Sequence, residues 1–370
     1  MRILLLGHAP SVHTQRWARA LAGRGHAIRL LSVVPAPGAP YPGEPVGNPG
    51  AALPFLRYAS ARGAVRDVLA SWKPEVTVAH FLPNYGFLGA LAGARPLLLV
   101  AWGSDLLVNA RRTPFHAARA RWVLERADLV HVDAENLAEA ARSLGAAAPR
   151  VWARPWGVET AALAASEPWG DRFRRAGTLR LLWTRMHEPL YDPASFLAAL
   201  AALRRRGVSF RATLAGDGPL RATLEETAAR DGIADAVRFA GHVDEAALRA
   251  LLREHEVYVS MSRSDSTSQS LLEAMAAGLY PVVSDIAGNR AWVGSRDRSA
   301  SRYAERGLLV PAGDPAALAE ALGAVASDPD AGARVARGAA LVRAEADWNE
   351  TVALTESRLV TLARAGGARA

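Results

Sequence analysis

The chain has 370 residues, no cysteine, a single lysine at Lys73 and a formal charge of +8, and half of its residues are hydrophobic. That length and apolar content support two full cores, and the lack of cysteine excludes a disulfide framework and thiolate metal sites and fits a cytoplasmic place. No apolar run approaches the ~20 residues of a membrane span, and residues 3–6 are too short for a signal-peptide core.

Residues 1–165 carry 18 Lys and Arg against 10 Asp and Glu, whereas residues 166–370 carry 26 of each. The excess therefore lies in the first half. Either that half meets an anionic partner, a membrane surface or a phosphorylated acceptor, or it has an ordinary basic surface. Nucleic acid is not expected as a partner, because no Arg-rich run is interleaved with aromatics.

In chain order, residues 2–7 read as an apolar strand, 13–24 as a helix stopped by Gly25, and 26–34 as a second strand. This is the βαβ start of a doubly wound sheet. The turn Gly7-His-Ala-Pro-Ser11 lacks Gly-x-Gly-x-x-Gly, so no dinucleotide site is expected. Residues 35–54 hold seven prolines and four glycines and read as a long surface loop. Residues 60–72 form an amphipathic helix. Strands at 75–79 and 97–101 end in His80-Phe-Leu-Pro-Asn-Tyr-Gly86 and Trp102-Gly-Ser-Asp105, on the functional rim of such a sheet. Residues 111–126 make a basic helix with Phe115, Trp122 and Val123 on its apolar side. It lies either on an anionic membrane or against the core. Residues 129–132, 135–144 and 150–153 close the half, and residues 160–177 read as a linker.

The second half repeats the alternation. Strands at 179–184, 210–215 and 237–240 lead into Arg185, Gly216-Asp-Gly-Pro219 and Gly241-His242-Val243. A strand at 257–261 precedes the polar loop 262–268, a helix at 269–277 ended by Gly278, and a strand at 281–284. The loop thus sits at the carboxyl end of a strand and the amino end of a helix, where open sheets bind ligands and free N–H groups favour anions. Asp265 precedes the helix and Glu273 lies two turns inside it. Both can face one ligand; alternatively they are an N-cap and a solvated helix residue. Asp328-Pro-Asp330 is the only Asp-x-Asp and reads as a turn, so no metal site is expected.

Asp265-x7-Glu273, followed by Ala-Met-Ala-Ala-Gly278 and Pro281-Val-Val-Ser284, resembles the nucleotide-sugar motif of retaining glycosyltransferase family 4. The resemblance implies an α/β chain of two Rossmann-like doubly wound domains facing a cleft, the GT-B architecture. Residues 1–160 would bind the acceptor and 161–345 the donor, with a helix at 346–370 packing back on the first domain. The implied reaction moves a hexosyl group from a UDP- or GDP-type sugar to a hydroxyl on a glycan, a lipid-linked acceptor or a small molecule. The nucleotide sugar is the substrate, and no cofactor is implied. By the same resemblance Glu273 would hold ribose and Asp265 the hexosyl ring, while Ser266, Thr267, Ser268 and Gln269 would line sugar and diphosphate. Gly216, Gly241 and His242 would surround the base.

Arg185 matches the family's first diphosphate cation. The lysine four or five residues later is missing, with Tyr191 nearest, so the second charge is sought in helix amides, His187 or the basic first domain. Two other departures are Asp rather than Glu at 265 and Ser266-Thr267-Ser268 in place of Gly-Phe-Gly. Ser11-Val-His13-Thr-Gln-Arg-Trp17 and Trp102-Gly-Ser-Asp105 resemble a bacterial polysaccharide subgroup and imply that His13, Trp102 and Asp105 face the cleft. Trp102 stands where many members carry a histidine that touches the donor sugar; that catalytic role is either lost here or passed to His80, which is otherwise a buried structural residue. A non-catalytic partner subunit, a sugar-nucleotide 2-epimerase and, third, a nucleic-acid-binding protein are the rival readings. The expected location is cytoplasmic, peripheral to the inner face of the membrane.

Overall fold

The structure is a computed structural model that describes residues 1–52, 54–165, 167–171, 178–294 and 303–367. Met1–Pro155 with Asn349–Ala370 pack as one unit and Trp156–Trp348 as a second.

The first unit is built on seven strands: β1 Arg2–Leu6, β2 Ala27–Ser32, β3 Glu44–Pro45, β4 Val76–His80, β5 Leu97–Val100, β6 Leu129–Val132 and β7 Val151–Ala153. They run parallel in the order β3-β2-β1-β4-β5-β6-β7. Every residue of β4, β5 and β6 is buried. Such runs suit a parallel sheet covered on both faces. The helix Val12–Gly23 buries Thr14, Trp17, Ala18 and Leu21, the spacing of one helical face. Gly25 follows it at φ 86°, a conformation cheap only for glycine. The helix Trp348–Gly367 belongs to this unit. Glu356 accepts from Arg24 at 2.5 Å and pairs with His26 at 2.8 Å, and Arg358 lies 5.5 Å over Trp152.

The proline-rich stretch 35–54 is not wholly irregular. Glu44–Pro45 forms an edge strand beside β2, where proline's missing N–H does no harm, and a helix runs over Pro54–Ala59. Gln15 ties the stretch down, its amide donating to Tyr41 O at 2.6 Å while Tyr41 N donates back at 3.1 Å.

The second unit holds β8 Leu179–Trp183, β9 Phe210–Ala215, β10 Val237–Gly241, β11 Val257–Ser260, β12 Tyr280–Ser284, β13 Tyr303–Ala304 and β14 Gly307–Val310. The order is β10-β9-β8-β11-β12-β14-β13, with only β13 antiparallel. In both sheets the order reverses beside the first strand, between β1 and β4 and between β8 and β11. Those are the points where the helices leave for opposite faces and a crevice opens. Trp183 stacks on Phe196 at 5.5 Å on one side of the second sheet; Leu182, Tyr258, Leu271 and Met275 pack on the other. Asp328 closes a turn as expected of its sequence: its buried carboxylate accepts from Tyr280 Oη at 2.7 Å and Arg334 Nε at 3.0 Å. Among the described residues no helix is long and apolar enough to cross a membrane.

The segment read as a linker is mostly part of this unit. Thr160–Leu163 is helical, and Thr160 donates to Asp347 at 2.5 Å. Trp169 is buried against Tyr280 and donates from Nε1 to Glu256 O at 2.9 Å; residues 166 and 172–177 lie outside the described residues. A spacer would tolerate loss of this ring, whereas a core residue would not. Trp169→Ala should therefore cost the second unit roughly 3–5 kcal/mol. Urea denaturation would measure it, and an unchanged midpoint would return residues 160–177 to the status of a linker.

Candidate functional site

Arg185 leaves the end of β8 and Asp265 the end of β11, the two strands that flank the reversal in the second sheet. Arg185 Nη2 donates to Asp265 Oδ2 at 2.6 Å, and Nη1 donates to Ser268 Oγ at 3.0 Å and Ser270 Oγ at 3.1 Å. The pair is largely buried, with 12% and 17% of the two side chains exposed. Burial works against the guanidinium charge, but the Asp265 carboxylate together with Tyr258 and Tyr191 outweighs it and holds the Arg185 pKa above its ordinary value. The cation at this position is therefore permanent. The ring of Tyr191 lies 4.2 Å from the guanidinium carbon.

The loop is shaped by hydroxyls rather than glycines. Ser266, Thr267 and Ser268 are buried, and Ser268 caps the helix Gln269–Ala276 by accepting from Leu271 N. Asp265 Oδ1 accepts from Ser266 N at 3.0 Å, so it orders the loop as well as pairing with Arg185. Within the helix only Gln269 and Glu273 are not fully buried. Four residues apart, they share the face that follows the loop. Gly288, opening the next helix, is pressed against the loop: a Cβ there would stand 2.1 Å from Ser266 O. Gly216 is pressed in the same way, 2.3 Å from Arg185 O, and donates to Gly241 O at 2.8 Å. Gly216, Gly241 and the exposed His242 thus lie on the neighbouring strand ends β9 and β10.

His187 does not supply the second cation. Its side chain is fully buried beside Phe239, and burial lowers its pKa, so it is neutral at pH 7.

In the first unit the start of the helix Val12–Gly23, the last residue of β4 and the segment after β5 bring His13, His80 and Trp102 together. His13 meets Trp102 edge-on at 5.2 Å and His80 lies 6.0 Å from the same ring. Trp102 and His13 are half-buried, but His80 is 2% exposed. The buried alternative therefore holds for His80: it lies beside the indole, and a catalytic contact with substrate would need it to leave the core. Asp105 is also buried. Its Oδ2 accepts from Leu82 N and Trp102 N, both at 2.9 Å, and so joins two strand-end loops. Phe81 between them stands at φ 70° and opens a single π-helical turn, Phe81–Gly86. Strained backbone of this kind gathers at functional sites.

Two family models match the chain: residues 180–328 fit "Glycosyl transferases group 1" and residues 2–134 fit "Glycosyl transferase 4-like". The chain belongs to glycosyltransferase family 4. A relative named glycogen synthase, from Mycobacterium tuberculosis, is 29% identical over 80% of this chain and 70% of its own length. Among solved structures, sucrose-phosphate synthase of Thermosynechococcus elongatus superposes with a TM-score of 0.82 at 18% identity, covering 99% of this chain and all of that one. HepE of Anabaena in complex with UDP gives 0.76 at 17% identity, covering 98% and 100%. The fold is the GT-B type of two parallel-sheet domains. The protein is a hexosyltransferase that uses nucleotide-sugar donors; neither the epimerase nor the non-catalytic reading is favoured.

Sequence reasoning on this glycosyltransferase missed Ser270, Arg263 and Gly288. Ser270 had a signal in the Ser-Gln-Ser spacing, and Gly288 in the Ala-Gly-Asn that follows β12. Arg263 had none, since its partner is distant in sequence.

The buried groups of the first unit make stability depend on pH. Burial lowers the pKa of His13 to about 4, of His80 to about 3 and of His131 to about 4. As pH falls from about 6.5 toward 4, the unfolded chain takes up these protons first, so the fold is destabilised. Burial raises Asp105 to about 7, which has the opposite sign: the fold keeps that proton between pH 4 and 7 while the unfolded chain releases it. Asp105→Asn removes the opposing contribution. The drop in Tm from pH 8 to pH 5 should be larger in Asp105→Asn than in the wild type, and an equal or smaller drop would contradict a protonated Asp105.

Proposed function

We propose that the chain is a retaining, metal-independent hexosyltransferase whose donor is a UDP- or GDP-sugar and whose acceptor is a hydroxyl of a glycan, a lipid-linked sugar or a small molecule. The observation that carries this reading is the Arg185–Asp265 pair beside the capped amino end of Gln269–Ala276. A helix amino end favours an anion, and a permanent guanidinium beside it meets the charge of a departing diphosphate. Arg185 Nε is buried with no hydrogen-bond partner among the described residues. A buried unmet donor is costly, and a phosphate oxygen would satisfy it.

In this reading Glu273 takes the ribose hydroxyls, and the exposed flank of Gln269 lies beside it. Asp265 contacts the transferred ring; the amides of Ser266, Thr267 and Ser268 line sugar and diphosphate. Gly216, Gly241 and His242 border the base. The acceptor hydroxyl attacks the anomeric carbon on the face from which the diphosphate leaves, and the leaving phosphate oxygen takes its proton. That reaction asks for positioning and charge stabilisation rather than a strong base. His13 and Trp102 approach the acceptor. The relatives support the donor class: solved structures of HepE hold UDP and UDP-glucose, and a Mycobacterium leprae relative is named phosphatidyl-myo-inositol mannosyltransferase.

The first unit also supports peripheral contact with an anionic membrane on the cytoplasmic side. Arg111 and Arg112 are exposed next to Val108 and Phe115, which are 41% and 62% exposed. Val123 is buried in the core and Trp122 packs against it, so for these two residues the core-packed alternative holds. Sedimentation with phosphatidylglycerol vesicles should carry the protein down at low salt and not with phosphatidylcholine; equal recovery with both would remove the membrane from this reading.

The donor-site assignment is tested by kinetics. Arg185→Ala should lower kcat far more than it raises the donor KM, because the charge it meets is largest in the transition state. Arg185→Lys should restore only part, lacking the bidentate fork. Transfer should persist in excess EDTA. Activity abolished by EDTA and restored by Mn²⁺ would overturn the metal-free mechanism.

A further inference from the structure

Where family 4 places its second diphosphate cation, four or five residues after Arg185, this chain carries Pro189-Leu190, and the structure shows what the next residues, Tyr191 and Asp192, do instead. Tyr191 is half-buried with its ring 4.2 Å from the Arg185 guanidinium carbon. The segment is held from its far side by Arg263, which leaves the end of β11 two residues before Asp265. Arg263 N donates to Leu190 O at 2.9 Å, and Arg263 Nη2 donates to Asp192 Oδ2 at 2.8 Å. Asp192 is a fixed anchor. It is buried at φ 53°, caps the helix Pro193–Arg205 by accepting from Ser195 N, and also accepts from Ser195 Oγ at 2.9 Å.

We infer that Tyr191, clamped by the Arg263–Asp192 pair, is a positioning residue for Arg185 and compensates for the absent lysine by holding the one remaining cation rigidly. The inference rests on the proposed role of Arg185. A guanidinium has two faces and an edge. The edge of Arg185 is fixed by Asp265, Ser268 and Ser270, and Tyr191 lies over the group at cation–π distance. An aromatic ring attracts a cation more strongly when water is excluded. A long side chain held on its edge and by an aromatic ring has little rotamer freedom left to lose when the donor arrives. One cation that is already oriented thereby stands where the family has two, and preorganised charge stabilises a transition state most effectively. The Arg263 guanidinium itself is 60% exposed and is engaged with Asp192, so its part is to hold the segment.

The test begins with titration of UDP and GDP into the wild-type chain. The nucleotide that binds is then used as its glucose or mannose conjugate to measure turnover. If neither binds, the proposed function fails and this inference falls with it. With a working donor, Tyr191→Leu should lower kcat by about ten-fold or more while Tm and donor KM change little. Tyr191→Phe should recover most of that loss, because the ring rather than the hydroxyl faces Arg185. Arg263→Gln should lower kcat in the same direction by a smaller factor. In an Arg185→Lys background, both Tyr191→Leu and Arg263→Gln should cost less than about two-fold, since residues acting through one group are not additive. Should Tyr191→Leu not fold, the Arg263→Gln cycle carries the test alone. Equal losses in the wild-type and Arg185→Lys backgrounds, or a Tyr191→Phe as impaired as Tyr191→Leu, would overturn the positioning role while leaving the glycosyltransferase reading intact.

Discussion

Everything in the second unit's site depends on keeping one charge where water is scarce. A guanidinium with 12% of its side chain exposed survives as a cation only if an anion stands beside it, and Asp265 does so at 2.6 Å. The cost of burying the pair is offset in part by hydrogen bonds, from Arg185 to two serines and from one backbone N–H to Asp265, while Arg185 Nε stays unmet among the described residues. Because Asp265 is shared between Arg185 and the loop, the position of the cation and the shape of the loop form one structure. A change at either end is felt at the other, which is why carboxylate, cation and capping serine are best regarded as a unit.

The sheet topology sets where that unit sits. Parallel strands place their carboxyl ends on one rim, and the reversal of order between β8 and β11 leaves the two loops there without a covering helix between them. Glycine then lets adjacent loops approach. Gly216 lies against Arg185 O and Gly288 against Ser266 O, at distances no Cβ could occupy. The glycines usual within the loop are absent, yet close approach is kept because it is supplied from outside, by neighbours across the rim. That explains how a Ser-Thr-Ser loop can take the place of a glycine-rich one.

Much of this was legible in the sequence. Strand ends followed by polar segments placed Arg185, Asp265, Trp102 and Asp105 on the rim, because burial and hydrogen bonding of a parallel strand depend on local composition. What could not be read depends on partners far away in the chain. Arg263 reads as one exposed arginine among 43 until Asp192, 71 residues earlier, is seen to accept from it. His80 was open between a catalytic and a buried role, because a histidine after an apolar strand satisfies both patterns and only the packing of Trp102 decides. Residues 160–177, which follow the segment that closes the first half, read as a linker. A single tryptophan reaching Glu256 O is a tertiary fact with no local signature.

The two rims differ in a way that bears on chemistry. In the first unit the histidines at the strand ends are held neutral by burial, at pKa values of about 4 and about 3 for His13 and His80, and Asp105 rises to about 7. A base held at pKa 3 or 4 takes a proton poorly at neutral pH, since proton transfer works best when the pKa lies near the working pH. Asp105 lies near that pH, but its Oδ2 is engaged by two backbone N–H groups and its side chain is buried. The first unit's rim is therefore suited to shape and contact, through Trp102 and His13, rather than to proton removal. The second unit's rim carries the permanent charge. In the proposed reaction the leaving group takes the acceptor proton, so neither rim is asked to supply a base.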